Sequence, residues 1–460
     1  MISICALILT GCSRPNQNEN DELSNYSHSN LVEQASQGIE FFQGSFADAL
    51  TQAEKDGKDV FVYHYSKLGA SSVVMQEAVF PLPEIGAYFN ERFISYQIDL
   101  GERVHPRGPL VIHYDFHLIV DPVYLILDSD GYGIGHAHGR ATPKQLISII
   151  NRVIGESEST FDTWQEQYDS GERSTEFIQQ YLMNAIEDLA FVKRSGETRP
   201  DPSTHLVYVT IHKEIADAYF ASKSYKDLIN ETDAYLIMYF NEHAARGEEL
   251  VEFVLQHYDE FLAVSSEAAM AQFALNATTN ALIGAASNGD EEFIEYLEAL
   301  ETYPMKRALE HERARVSESH HFPESIMATW GLDYHQAIGD WERVYEILLT
   351  RLEAKGDTVK ESDYVLTAIV LMESNNPAHH KKAVEYGKKV HESNLQAPSY
   401  AAVYVAALMV AGNQYTADQV SEEYRKRMVP LFNGSVKLKS YEDELSSLLD
   451  RIFENKMSDD

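Results

Sequence analysis

The chain has 460 residues, of which 44% are hydrophobic and 24% charged, enough apolar material for the buried cores of two or three domains. Its formal net charge of -35 makes a surface that repels phosphate, which argues against nucleic acid and anionic lipid as partners. It has two cysteines, Cys5 and Cys12, and none beyond them.

In chain order, Met1 to Leu9 is an apolar run too short to span a bilayer, and it ends in Leu9-Thr10-Gly11-Cys12. That ending resembles the lipobox of bacterial lipoproteins, although the positive residues usual before such a run are missing. The resemblance implies a signal peptide over residues 1–12 and lipidation of Cys12 after cleavage. With Ser13 behind the cysteine, it favours the outer membrane of a bacterial envelope, facing the periplasm. Residues 13–31 are polar and read as a disordered tether. A flexible coil of that length reaches about 25 Å, enough to hold a folded domain just off a membrane.

The next unit, residues 32–155, opens with a buried-type strand, Asp59-Val60-Phe61-Val62-Tyr63, after the turn pair Asp56-Gly57. A loop from Ser66 to Ser72 runs into a helical segment ending at Val79-Phe80. Pro83 to Phe93 is a second short helix, with Ile85, Tyr88, Phe89 and Phe93 at helical spacing, and Ile94 to Asp99 a strand. Asp121-Pro122 then precedes the apolar run Val123 to Leu127, and Asp128-Ser129-Asp130-Gly131 reads as a tight hairpin turn into a strand around Gly133 to Gly139. Thr142-Pro143 starts a helix, a capping hydroxyl followed by Pro in the first turn, with Leu146, Ile149, Ile150 and Val153 facing inward.

This order resembles the thioredoxin superfamily from Gly38 to Ile154, about a quarter of the chain. Aligned on Val79-Phe80, the family's two cysteines fall on Gly69 and Ser72, its tryptophan on Leu68 and its cis-proline on Pro122. Asp121 departs from the apolar or small residue usual before that proline. The resemblance implies an α/β thioredoxin-like domain whose surface for extended peptide is formed by Leu68, Gly69, Ala70, Ser71, Ser72, Asp121 and Pro122. It cannot imply the chemistry, because disulfide exchange needs a thiolate and no alignment register supplies one beyond Cys12.

Gly155 to Thr160 reads as a domain boundary, and residues 160–455 as helical, with Leu206 to Ile211 open to either strand or helix. Leu250 to Leu262 and Trp341 to Leu352 each place their apolar residues on one face. A junction recurs in which small residues and a Gly, Lys or Asn turn lead to an aromatic opening the next helix, at Tyr225, Phe293, Trp341 and Tyr415. It resembles the turn of tetratricopeptide helix hairpins, with irregular spacing and an incomplete signature. The expectation is an all-α helical-repeat domain, an α-solenoid with a peptide-binding concave face and each junction aromatic packed in its own hairpin.

Few residues point to chemistry. On a strand, His136 and His138 share a face, and on a helix so do His113 and His117, which makes a metal-binding or metal-delivery protein the alternative reading. A tight site wants more ligands than two, so surface or hydrogen-bonded histidines are the simpler account. His320-His321 and His379-His380 are weaker still, since adjacent helical residues diverge. Ser71 or Ser72 is expected to cap the following helix. No phosphate-cradling loop or His-Glu-x-x-His motif is present, and no cofactor is expected. The leading expectation is a lipid-anchored, redox-inactive thioredoxin-like protein acting in protein or peptide binding or in envelope assembly, with no thiol for thioredoxin-type oxidoreductase activity.

Overall fold

The computed structural model describes residues 38–99, 122–190, 193–194, 202–431 and 433–457. The lipobox, the tether, Asp121, His113 and His117 lie outside these residues.

Valine and aromatic residues dominate β1 (Asp59–Tyr65), β-formers that suit a strand covered on both sides. It is the centre of a mixed sheet with β2 (Phe93–Asp99), β3 (Val123–Leu127), β4 (Gly133–His138) and the two-residue β5 (Lys193–Arg194), in the order β2-β1-β3-β4-β5. β1 runs parallel to β2 and antiparallel to β3, and β4 is antiparallel to β3. The pleat sends Phe61, Tyr63, Tyr124, Ile126 and Ala137 to one face, under α3 (Pro83–Arg92) and α4 (Pro143–Val153). Val60, Val62, Val123, Leu125 and Leu127 go to the other, under α1 (Phe46–Asp56). α1 has no counterpart in the sequence reading; it buries Ala49 and Ala53 and packs Phe46 and Leu50 on the sheet.

Local signals work where they are strong. Thr142 caps α4 in a full capping box with Gln145. The turn from Asp128 closes with Gly131 at φ 84° and the Tyr132 amide donating to Asp128 Oδ1 at 2.8 Å. The segment after the loop is split into a single α-turn, α2 (Ala70–Val74), and a π-helical turn, Met75–Val79.

The expected boundary at 155–160 is a turn and a short connection. α5 (Phe161–Asp169) and α6 (Thr175–Leu189) follow it, and α6 lies on α4, where Gln145 Nε2 donates to the Met183 carbonyl at 2.7 Å and Arg152 meets Asp188 at 3.2 Å. The chain then returns to the sheet as β5, pairing with β4. α7 (Pro202–Ala221) makes Leu206 to Ile211 helical. α8 (Glu231–Phe240), α9 (Glu249–Gln256) and α10 (Tyr258–Ala263) come next, and the amphipathic stretch from Leu250 is thereby two helices that meet at His257.

α11 (Glu267–Asn288) is buried along nearly its whole length, from Ala268 to Ala286. A helix apolar all round belongs in the middle of a core, and α12 (Glu292–Ala299), α13 (Met305–Arg315) and α14 (Pro323–Ala337) all pack on it. The rest of the chain is α15 (Trp341–Lys355), α16 (Glu361–Glu373), α17 (Pro377–Ser393), α18 (Pro398–Val410), α19 (Gln414–Met428) and α20 (Gly434–Met457). Here the core passes from helix to helix. α14 gives Tyr334 to the cluster around α11 and Leu332 to the next, and α18 divides Val403 and Tyr404 between the last two.

Three junction glycines, Gly289, Gly339 and Gly412, hold φ of 74°, 72° and 76°, the left-handed turn that ends a helix without strain at glycine. The aromatics behind them differ. Phe293 is fully buried and stacks on Tyr334 at 4.6 Å, and Tyr225 lies 5.0 Å from Phe253. Trp341 is only half-buried, and Tyr415, expected inside its hairpin, is 75% exposed. Among the described residues no helix is long and apolar enough to cross a membrane.

Candidate binding site

The strand directions bring the loop after β1, Pro122 before β3 and Gly139 to Ala141 after β4 to one end of the sheet. Two bonds tie these pieces together: the Gly139 amide donates to the Pro122 carbonyl at 2.8 Å, and the Ala141 amide points at Met75 Sδ at 3.4 Å. The Asp121-Pro122 bond itself falls outside the described residues.

Neither serine caps α2. The capping position belongs to Gly69, which makes no side-chain bond, and Ser71 and Ser72 lie inside the first turn and are buried. Ser72 Oγ accepts the Ser66 amide at 3.4 Å and its carbonyl accepts the Tyr63 hydroxyl at 3.1 Å, so this serine closes the loop. Pro122 is buried as well, Gly69 and Ala70 are half-buried, and Leu68 is 37% exposed. Among the described residues expected to hold peptide, those around Leu68 are the most open to a partner.

What covers the rest is the chain's own helical region. Val74 is a member of the core around α11, and α2 packs against that helix. On the π-turn, Glu77 pairs with His311 at 2.8 Å and with Arg315 at 3.5 Å. Arg315 also donates to the carbonyl of Lys67, and Lys67 in turn pairs with Asp99 at 2.7 Å. Behind it, the buried Glu312 accepts Arg315 Nη2 at 2.6 Å, Ser319 Oγ at 2.9 Å and Gln272 Nε2 at 3.1 Å, with His321 Nδ1 at 3.7 Å.

Burial alone would push the Glu312 carboxyl up, but donors and charge from His321, Arg315 and Ser319 outweigh it and hold it down at about 2. The hydrogen bond to Glu77, opposed by burial, raises His311 above its ordinary value. A buried carboxylate held by three donors, one of them a short arginine contact, fixes the geometry of the seam. The sequence reading missed Glu77, His311, Glu312 and Arg315. Their one local signal is a basic cluster, His311-Glu312-Arg313-Ala314-Arg315, in a strongly acidic chain.

His136 and His138 do share a face of β4, opposite Leu125 and Val123, and both are buried. Among the described residues no group of three or more histidine, cysteine, aspartate or glutamate side chains is arranged to hold a metal ion. His379 and His380 serve the start of α17, through Ser374 Oγ at 2.9 Å and the Ser374 carbonyl at 2.5 Å. No protein-family model matches the chain, and a search of curated proteins finds no match.

Proposed function

We propose that the chain is a thioredoxin-like protein of the bacterial envelope that works by binding protein rather than by thiol chemistry. The observation that carries this reading is the loop after β1. Where a dithiol would act there are the half-buried Gly69 and the buried Ser72, and a polar seam from α13 ties the loop shut. The order of strands and helices around Pro122 and the lack of cysteine after Cys12 support it. The helical region past α14, with its left-handed glycine junctions and a core handed from helix to helix, fits a degenerate tetratricopeptide-like array presenting the partner surface. Purified protein is expected to reduce insulin no faster than buffer, and turnover above that control overturns the proposal.

The anchor belongs to the same reading, resting on Leu9 to Cys12 and the polar stretch behind it. Cys12→Ala removes the acylation site and is expected to move the protein from the membrane fraction to a soluble or unprocessed form. Wild-type protein found in the cytosolic fraction with Met1 intact contradicts it.

A further inference from the structure

Arg140 sits at the same end of the sheet, in the connection between β4 and α4, and is only 8% exposed. Its backbone is fixed on three sides. Tyr124 donates to the Gly139 carbonyl at 2.8 Å, Tyr235 donates to the Arg140 carbonyl at 3.3 Å, and the Ala141 amide faces Met75. The guanidinium lies over two adjacent rings of α8, 5.4 Å from Tyr235 and 5.7 Å from Tyr239. Ring faces attract a cation, but they do not accept its N–H groups in good hydrogen bonds. Nε and Nη2 have no hydrogen-bond partner among the described residues.

A buried arginine always carries its charge, and leaving it without an anion is costly enough that such residues are normally paired. The two open nitrogens are also neighbours on one edge of the fork. That is the edge with which Arg246 holds Glu252 elsewhere in this chain, Nε at 2.6 Å and Nη2 at 2.9 Å from the two carboxylate oxygens. Tyr235 and Tyr239 are themselves half-buried.

We propose that Arg140, walled by Tyr235 and Tyr239, is a binding site for an oxyanion presenting two oxygens side by side, the shared chemistry of a peptide carboxylate and of phosphate. It lies beside Pro122 and the closed loop and does not depend on the partner surface proposed above. The test uses the full chain and three probes: sodium phosphate, sodium acetate, and a glycine-serine pentapeptide with a free carboxyl terminus compared with its amide, all at constant ionic strength. Hydrogen exchange of wild type is expected to slow at the amides of Arg140 to Thr142 and Tyr235 to Tyr239 with at least one probe.

Affinity for that probe should fall at least tenfold in Arg140→Met and less in Arg140→Lys, which keeps the charge but loses the bidentate edge. Peptide acid binding without phosphate assigns a carboxylate from a polypeptide, and the reverse assigns a free anion. No protection of wild type by any probe overturns the proposal, as does binding that Arg140→Met leaves unchanged. Failure here leaves the insulin result untouched, so the two proposals fall separately.

Discussion

Glu312→Ala is expected to destabilise the protein by about 3 to 5 kcal/mol, the range for removing one partner of a buried ionic cluster. Arg315 Nη2, Ser319 Oγ and Gln272 Nε2 all end on this carboxylate, which has no exposure, so its removal takes the acceptor from three donors at once. The loss should open the seam as well as weaken α13, because Arg315 also holds Glu77 and the Lys67 carbonyl. Urea unfolding measures the first effect, and hydrogen exchange at Ser66 to Glu77 the second. A loss under about 1 kcal/mol, with that loop still protected, would show that the cluster is not what closes it.

The same cluster has a pH signature with a definite sign. Folding lowers the Glu312 carboxyl from its ordinary 4.5 to about 2, so its contribution is complete above pH 4.5 and is lost as pH falls towards 2. His311 moves the other way: its folded value is raised above 6.5, so its contribution is complete below pH 6.5 and is lost as pH rises through the raised value. The seam is therefore strongest between about pH 4.5 and 6.5. Glu312→Gln should abolish the acid limb of the urea-midpoint profile and leave the alkaline limb. An unchanged acid limb in that variant would assign it to other carboxylates.

Phe293→Ala is the other large effect, about 3 to 5 kcal/mol for truncating a fully buried aromatic that stacks on Tyr334. Tyr415→Ala, at the corresponding junction of α18 and α19, is expected to change stability by less than about 0.5 kcal/mol, because that ring is 75% exposed. The pattern of the Phe293 loss separates two architectures. Its cluster joins α6 to α14 and includes Val74 of α2, whereas Tyr424 and Tyr441 belong to another at the far end. Exchange protection should therefore fall from α6 to α14 and in α2 and persist in α18 to α20. A uniform fall from Phe161 to Ile452 would make the helical region a single cooperative globule and remove the support for a repeat array.

The sheet unit and the later helices were legible because their signals are local. The continuous apolar run Val60 to Tyr63, the hairpin turn at Asp128 to Gly131, the Thr142 cap and the glycine junctions each act within a few residues. α1 was legible too, in the Ser45 and Asp48 capping box, the spacing of Phe46, Ala49, Leu50 and Ala53, and Gly57 at its end, but the sequence reading did not use these signals. His257 splits the Leu250 to Leu262 stretch although its apolar face continues across the break.

By itself the sequence determined that no thiol follows Cys12, that a part with strands precedes a long helical part, and which residues are apolar enough to form cores. The tertiary structure alone decided which surfaces those cores close. Ser71 and Ser72 are buried, not helix caps, because α11 and α13 lie over the loop through Val74, Glu77 and Arg315. Arg140 is enclosed because α8 brings two tyrosines to the end of β4. Such contacts join residues far apart in the chain, where neither periodicity nor spacing records a partner, and their free energy exists only once both elements are already in place.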